Sequence, residues 1–219
     1  MKHILILLLF FPNFLFAQNE IEISPPPPNP PSSHLEPAED FFNLTDYQLE
    51  YYNRLHKVLF KGLSDLPEIR FFILPSFTPE SVLEIQYNKE SGKYFSVYHI
   101  VDKMIWFNKK WKKVKTIKYK KEISKESAEL VKSLFKSAIQ DARIPAWNNV
   151  GLDGTTYIFS YSDWELRSAY IWTPHEGSKL GYLKNVGVKL MELTISTDQI
   201  INIDKDFETD IKALISRFK

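Results

Sequence analysis

Lysines and aromatic residues alternate along residues 103–125, which is the most distinctive chemical feature of this chain. The segment contains ten lysines and a single acidic residue, Glu122. Its candidate binding residues are Lys109, Lys110, Trp111, Lys112 and Lys113. Clustered ammonium groups attract anionic partners through long-range electrostatics. The segment predicts either a surface for an anionic partner or a solvated edge strand whose lysines prevent aggregation.

A second set of polar residues lies within and directly after residues 152–174, LDGTTYIFSYSDWELRSAYIWTP. The set comprises Asp153, Arg167, His175 and Glu176. If these side chains met in one cleft, carboxylate and imidazole groups could exchange protons with a substrate, which predicts a small hydrolase. The alternative is structural: a turn residue, a charge at the end of a hairpin and two loop residues.

Other catalytic classes lack their residues. The chain has no cysteine, which excludes disulfides, a thiol nucleophile and thiolate metal sites. It has no His-Glu-x-x-His pattern, no Gly-x-Ser-x-Gly elbow and no phosphate-binding loop. We therefore expect no cofactor and no metal, and a binding protein is favoured over an enzyme.

The first 17 residues predict export. A short basic start precedes an apolar run from Ile4 to Phe16, and the small residue Ala17 follows. This order is typical of a cleaved signal peptide, and the run is too short for a membrane-spanning helix of about 20 residues. We expect a periplasmic, extracellular or cell-surface protein with no transmembrane segment after cleavage. The anionic partner would then be an envelope polysaccharide, lipid head groups or an acidic protein, and nucleic acid is not expected.

A proline-rich linker is predicted for residues 18–38. Seven of the 13 prolines fall between Pro25 and Pro37, a composition that favours extended conformations and cannot build a core. A spacer is favoured over a ligand for a proline-reading domain. The signal peptide carries Lys2 and no acid, so of the 28 basic and 27 acidic residues the rest of the chain keeps 27 of each. The net charge of the remaining chain is therefore zero and gives no long-range attraction to a charged partner.

Residues 39–219 predict a single α+β domain with a mostly antiparallel sheet of meanders and hairpins and about four helices. Thr45 and Gln48 form a capping-box pattern for a helix near 46–61, and Gly62 is its stop signal. Ser124 caps a second helix, and two more follow residue 177. The runs IRFFILPSF, SVLEIQYN and KYFSVYHIV predict strands, and residues 103–125 a further hairpin.

The stretch from 152 to 174 predicts a hairpin. A loop of Ser162 to Glu165, or of its inner two residues, would pair Tyr161 with Leu166 and Phe159 with Ser168. One face would then carry Tyr157, Phe159, Tyr161, Tyr170 and Trp172, and the other Thr156, Ile158, Ala169 and Ile171. Gly154 is expected at a positive φ in the turn that precedes the first strand, with Asp153 bonded to the turn backbone.

The order of these motifs resembles a loose group of uncharacterised exported bacterial proteins. The matching pieces are IRFFILPSF, the helix at 125–142, Trp147, LDGTTYIF and YIWTP, which together span residues 68–194. The resemblance implies export and a shared α+β domain, and it supplies no catalytic residue. Two hypotheses follow: a non-enzymatic envelope or extracellular binding module, and a small periplasmic hydrolase.

Overall fold

The computed structural model describes residues 33–38, 45–144, 153–196 and 199–218. The predicted signal peptide, the proline run and Trp147 lie outside the described residues. The helices are α1 (Asp46–Val58), α2 (Lys125–Gln140), α3 (Lys179–Ser196) and α4 (Lys205–Ser216). The strands are β1 (Glu36–Pro37), β2 (Ile69–Pro75), β3 (Ser81–Asn88), β4 (Lys93–Val101), β5 (Thr116–Ile123), β6 (Thr155–Ser162) and β7 (Leu166–Trp172).

The seven strands form one sheet in the order β1-β7-β6-β2-β3-β4-β5, and every neighbouring pair is antiparallel. Hairpins connect β2 to β3, β3 to β4, β4 to β5 and β6 to β7. Helix α2 carries the chain from the β5 edge to β6, which pairs with β2 in the centre. The predicted α+β class with a mostly antiparallel sheet is confirmed.

Local signals place the helix starts. Thr45 accepts a hydrogen bond from the Gln48 N–H, and the Gln48 side chain accepts one from the Thr45 N–H, which completes the predicted capping box. Ser124 caps α2 in the predicted way. Helix α1 ends at Val58, earlier than residue 61, and Gly62 has the positive φ, 90°, expected of the stop residue.

The larger core lies between the sheet and helices α2, α3 and α4. The predicted stripe of α2 is buried there: Val131, Leu134, Phe135, Ala138 and Ile139. Phe71 and Phe159 face it from neighbouring central strands, with ring centroids 5.0 Å apart. Burial of this apolar surface is the main stabilising contribution to the fold.

The smaller core lies on the opposite face of the sheet, beneath α1. Leu55 and Leu59 pack on Phe72 and Val82 from the sheet. Ile105, which comes from the connection between β4 and β5, is fully buried in the same cluster. This face therefore joins α1 to the segment that contains the candidate binding residues.

The β6–β7 hairpin forms, but its predicted register is wrong by one residue. Tyr161 pairs with Arg167 and Phe159 with Ala169, because the loop has three residues, 163–165. An odd loop length reverses the side-chain parity of the second strand. Tyr170 and Trp172 consequently lie on the α1 face, and the predicted all-aromatic face does not form.

The last residues of the predicted linker belong to the fold. Leu35 is fully buried in the larger core, and β1 pairs with the β7 edge through Glu36 and Pro37. The Tyr170 hydroxyl donates a hydrogen bond to the Glu36 carboxylate over 2.8 Å. The folded unit thus begins before residue 39, and β1 fixes where the upstream segment leaves the sheet.

Within the described ranges, no helix is both long enough and apolar enough to cross a bilayer.

Candidate functional site

The predicted binding residues lie on an irregular connection between β4 and β5, residues 102–115, which we call the lysine loop. The predicted hairpin therefore needs correction: β5 pairs with β4, and the loop adds no strand. The loop is closed at its base by two hydrogen bonds, from the Asp102 N–H to the Lys115 carbonyl and from the Lys115 N–H to the Asp102 carboxylate, both 2.9 Å long. Ile105 and Val114 are buried in the smaller core and hold the loop against α1. Two residues with this spacing would not be buried together in a regularly alternating strand.

A buried carboxylate, Glu80, fixes the first turn of the lysine loop. It is fully shielded from solvent and accepts hydrogen bonds from the backbone N–H groups of Ile105, at 2.9 and 3.0 Å, and Trp106, at 3.1 Å. The Tyr51 hydroxyl on α1 donates a further bond of 2.8 Å. Burial, followed by the Glu80 charge, raises the pKa of Tyr51, so its hydroxyl remains a donor.

Turns hold the rest of the loop. The Asn108 side chain accepts a hydrogen bond from the Lys110 N–H, and residues 111–113 form one turn of 3₁₀ helix. The side chains of Lys109, Lys110, Lys112 and Lys113 are exposed to solvent. None of these four takes part in the ion pairs found among the described residues. Their charges are available to an anionic partner.

The Trp111 ring contacts two cationic side chains, so it stabilises the loop and is not a free ring for a ligand. The guanidinium carbon of Arg54 lies 5.9 Å from the ring centroid and the Lys112 ammonium lies 5.7 Å from it. Both distances are within the range of cation–π attraction. The ring is therefore in contact with one cation from α1 and one from the loop.

The lysine-rich surface continues along β5, the edge strand of the sheet. Lys118 donates a hydrogen bond to the Lys61 carbonyl over 2.6 Å, and the Lys120 ammonium lies 4.3 Å from the centroid of the Phe95 ring. These two lysines match the predicted solvated edge strand. Lys109, Lys110, Lys112 and Lys113 of the loop lie outside any strand, so edge protection does not account for them.

The alternative polar set is divided by the fold. Asp153 precedes the start of β6, whereas Arg167 lies opposite Tyr161 near the other end of the hairpin, where it pairs with Glu165. Glu176 forms an ion pair with Lys184, and this partner lowers the pKa of Glu176. The His175 ring nitrogen accepts a hydrogen bond from the Gly177 N–H. The structure does not bring the four side chains into one cleft.

No group of three or more histidine, aspartate or glutamate side chains within the described ranges has a geometry that would hold a metal. A cleft of about 740 Å³ lies between α3 and α4, and its border has four acidic residues, Glu192, Asp204, Asp206 and Asp210, against two basic ones, Lys189 and Arg217. Like charges would repel an anionic ligand from that cleft.

The residues that shape the site were missed by sequence reasoning. Glu80 follows a proline and precedes a strand, a position that is usually solvated, so nothing in the sequence marks its burial. The aromatic residues Phe77 and Trp172, which line a groove beside the lysine loop, lie far apart in the chain. Pairing of the strands was needed to bring them together.

No protein-family model, no curated protein and no solved structure matches this chain.

Proposed function

We propose that this protein is an exported, non-enzymatic binding module that holds an anionic partner on the lysine loop. One observation carries the proposal. Lys109, Lys110, Lys112 and Lys113 face solvent on a loop whose backbone is held by Glu80 and Asp102, and no acidic residue of the described chain pairs with them. Flexible surface lysines are common. A cluster on a fixed loop presents its charge in one place, which raises the local attraction for a polyanion.

Export is supported by the order of residues 1–17, basic, apolar and then small. In an envelope or extracellular setting the available polyanions are acidic polysaccharides, lipid head groups and acidic proteins. The proline-rich segment would then space the binding domain from a surface.

The test is the simultaneous change of Lys109, Lys110, Lys112 and Lys113 to Gln. Affinity for a polyanion such as polyglutamate should fall, and its dependence on salt should become shallower, because screening acts on the charges that were removed. Folding should be nearly unaffected since all four side chains are exposed.

A matched control changes Lys89, Lys189, Lys205 and Lys212 to Gln. These lysines are also exposed, and the control removes the same net charge from other parts of the surface. If both variants lowered the affinity for the polyanion equally, the attraction would depend on net charge and not on the lysine loop. An unchanged affinity of the loop variant at low salt would refute the proposed function.

A further inference from the structure

An aromatic groove lies beside the lysine loop on the α1 face of the sheet. It consists of two adjoining clefts of about 280 and 400 Å³, which share Gln48, Tyr52 and Thr156. Tyr170 lines the larger cleft and Phe107 the smaller one. An extended groove of this kind suits a chain-like ligand better than a compact one.

Two rings of the groove are exposed to an unusual degree. Phe77 is 69% exposed and Phe107 65% exposed, and both line the same cleft, together with the half-buried Trp172. Single exposed apolar residues are common on protein surfaces, but apolar rings gathered in one groove indicate a contact surface. A ligand with an apolar face would cover these rings and displace the water on them.

Polar groups that can pair with hydroxyls accompany the rings. Asp153 lines the same cleft, is exposed, and makes no hydrogen bond with other described residues. Gln48 also lines it, and because its carbonyl oxygen is used by the Thr45 cap, its amide NH₂ is left to donate. A carboxylate that accepts and an amide that donates, set among aromatic rings, match a sugar, which has C–H faces and surrounding hydroxyls.

The groove is continuous with the lysine loop. Trp106 and Phe107 belong to the loop and line the groove, and Lys109 follows Phe107 by two residues. A polymer that lies on these rings and leaves past Phe107 meets the exposed ammonium groups. Asp153, which lines the same cleft, accepts sugar hydroxyls and disfavours acid groups beside it.

We infer that the partner is an anionic polysaccharide, whose sugar rings occupy the aromatic groove and whose acid groups contact the lysine loop. This inference rests on the proposed function, because the lysine loop supplies the electrostatic part of the binding. The groove adds what a surface of lysines lacks, namely recognition of the sugar ring itself.

The test compares two polyanions, polygalacturonate, which has sugar rings, and polyglutamate, which has none. The groove variant combines Phe77→Ala with Phe107→Ala, and its matched control is Trp164→Ala, whose ring is 97% exposed on the β6–β7 loop. The groove variant should bind polygalacturonate roughly tenfold more weakly and polyglutamate as before, because only stacking is lost. Trp164→Ala should match the wild type with both polymers.

The outcomes separate the two claims. If the four-lysine variant loses both polymers and the groove variant binds like the wild type, the inference is wrong and the proposed function stands. If the four-lysine variant binds both polymers normally, the proposed function fails and the inference with it. The inference would also be overturned if the groove variant lost both polymers equally. A further contrary result would be preferential binding of a peptide of residues 25–31, the proline run of this chain, over polygalacturonate.

Discussion

The hydroxyl of Tyr51 on α1 donates a hydrogen bond to the buried carboxylate of Glu80 at the start of β3, over 2.8 Å. The same carboxylate binds the first turn of the lysine loop. One side chain therefore connects the helix, the sheet and the candidate binding surface. The position of the lysines depends on a residue that touches none of them.

Glu80→Gln should destabilise the protein and loosen the lysine loop. An amide has one acceptor oxygen where the carboxylate has two, and its NH₂ would face N–H donors. We expect a loss of about 1–3 kcal/mol in the free energy of unfolding, the typical consequence of leaving buried donors unpaired. Polyanion affinity should fall as well, although every lysine is retained.

The matched variant is Tyr51→Phe, which removes one donor to Glu80 and keeps the two backbone donors. It should cost less, about 1 kcal/mol, and should preserve the loop. Chemical denaturation followed by tryptophan fluorescence measures both variants. Equal stability of Glu80→Gln and the wild type would show that the carboxylate does not hold the loop.

Local signals predicted the elements better than the contacts between them. The capping box at Thr45 and the apolar stripe of α2 depend on residues a few positions apart, so the sequence displays them directly. The hairpin register depends on whether the loop has two, three or four residues, and Asp163, Trp164 and Glu165 have no glycine to mark the turn. Burial of Glu80 depends on a loop 25 residues later folding over it, which no local pattern records.

The lysine surface was predictable because charge density is visible in composition, whereas the groove was not. Phe77, Phe107 and Trp172 belong to three separate segments of the sequence, and no local pattern connects them. They converge because β7 pairs beside β6 and Trp106 of the lysine loop packs against Tyr51 of α1. Recognition of such a site required the order of strands in the sheet.

His99 should make stability depend on pH below about 7. It is buried, and its Nδ1–H donates to the Leu59 carbonyl over 2.8 Å. Burial lowers the pKa of His99; the Leu59 hydrogen bond opposes this effect, and Lys118 adds to it. On acidification, His99 of the unfolded chain takes up a proton near pH 6.5, whereas His99 of the folded chain does so only at lower pH. The free energy of unfolding therefore falls as the pH drops through about 6.5, and it levels off below the pKa of the folded state.

His99→Gln removes the titrating group and keeps an N–H donor for Leu59, so it should flatten this part of the pH profile. His56→Gln, at an exposed position on α1, is the matched control. Urea denaturation at several pH values gives both profiles. A slope that persists in His99→Gln would assign the pH dependence to other groups.

Cleavage near Ala17 is expected when the full-length chain is expressed with an intact secretion pathway. The reason is the sequence order of a short basic start, an apolar run and a small residue. Intact-mass measurement of the exported protein should give an N-terminus near Gln18. A full-length product that keeps Met1 and stays in the cytoplasm would contradict export.

Gly154→Ala should destabilise the fold, though not for the predicted reason. The described glycines with positive φ are Gly62 and Gly92, and in the neighbouring turn the positive φ belongs to Thr173, at 42°. Gly154 is instead required by close packing, because an added Cβ would lie 2.6 Å from the Trp172 ring. Overpacking of this kind costs about 1–3 kcal/mol. Gly177→Ala is the control, since its Cβ would have ordinary contacts of 3.7 Å.

Asp153→Asn separates stability from function at the adjacent residue. Contrary to expectation, the Asp153 side chain forms no hydrogen bond with the described backbone of the turn, so replacing it with the isosteric amide should leave the melting temperature unchanged. The Asn oxygen still accepts sugar hydroxyls and the charge that repels acid groups is gone, so Asp153→Asn should bind polygalacturonate at least as tightly as the wild type and polyglutamate as before. Melting curves and the two titrations on one preparation measure all three quantities. If Asp153→Asn instead abolishes hydrolysis of a substrate at full stability, the carboxylate is catalytic and the binding-module hypothesis gives way to the hydrolase.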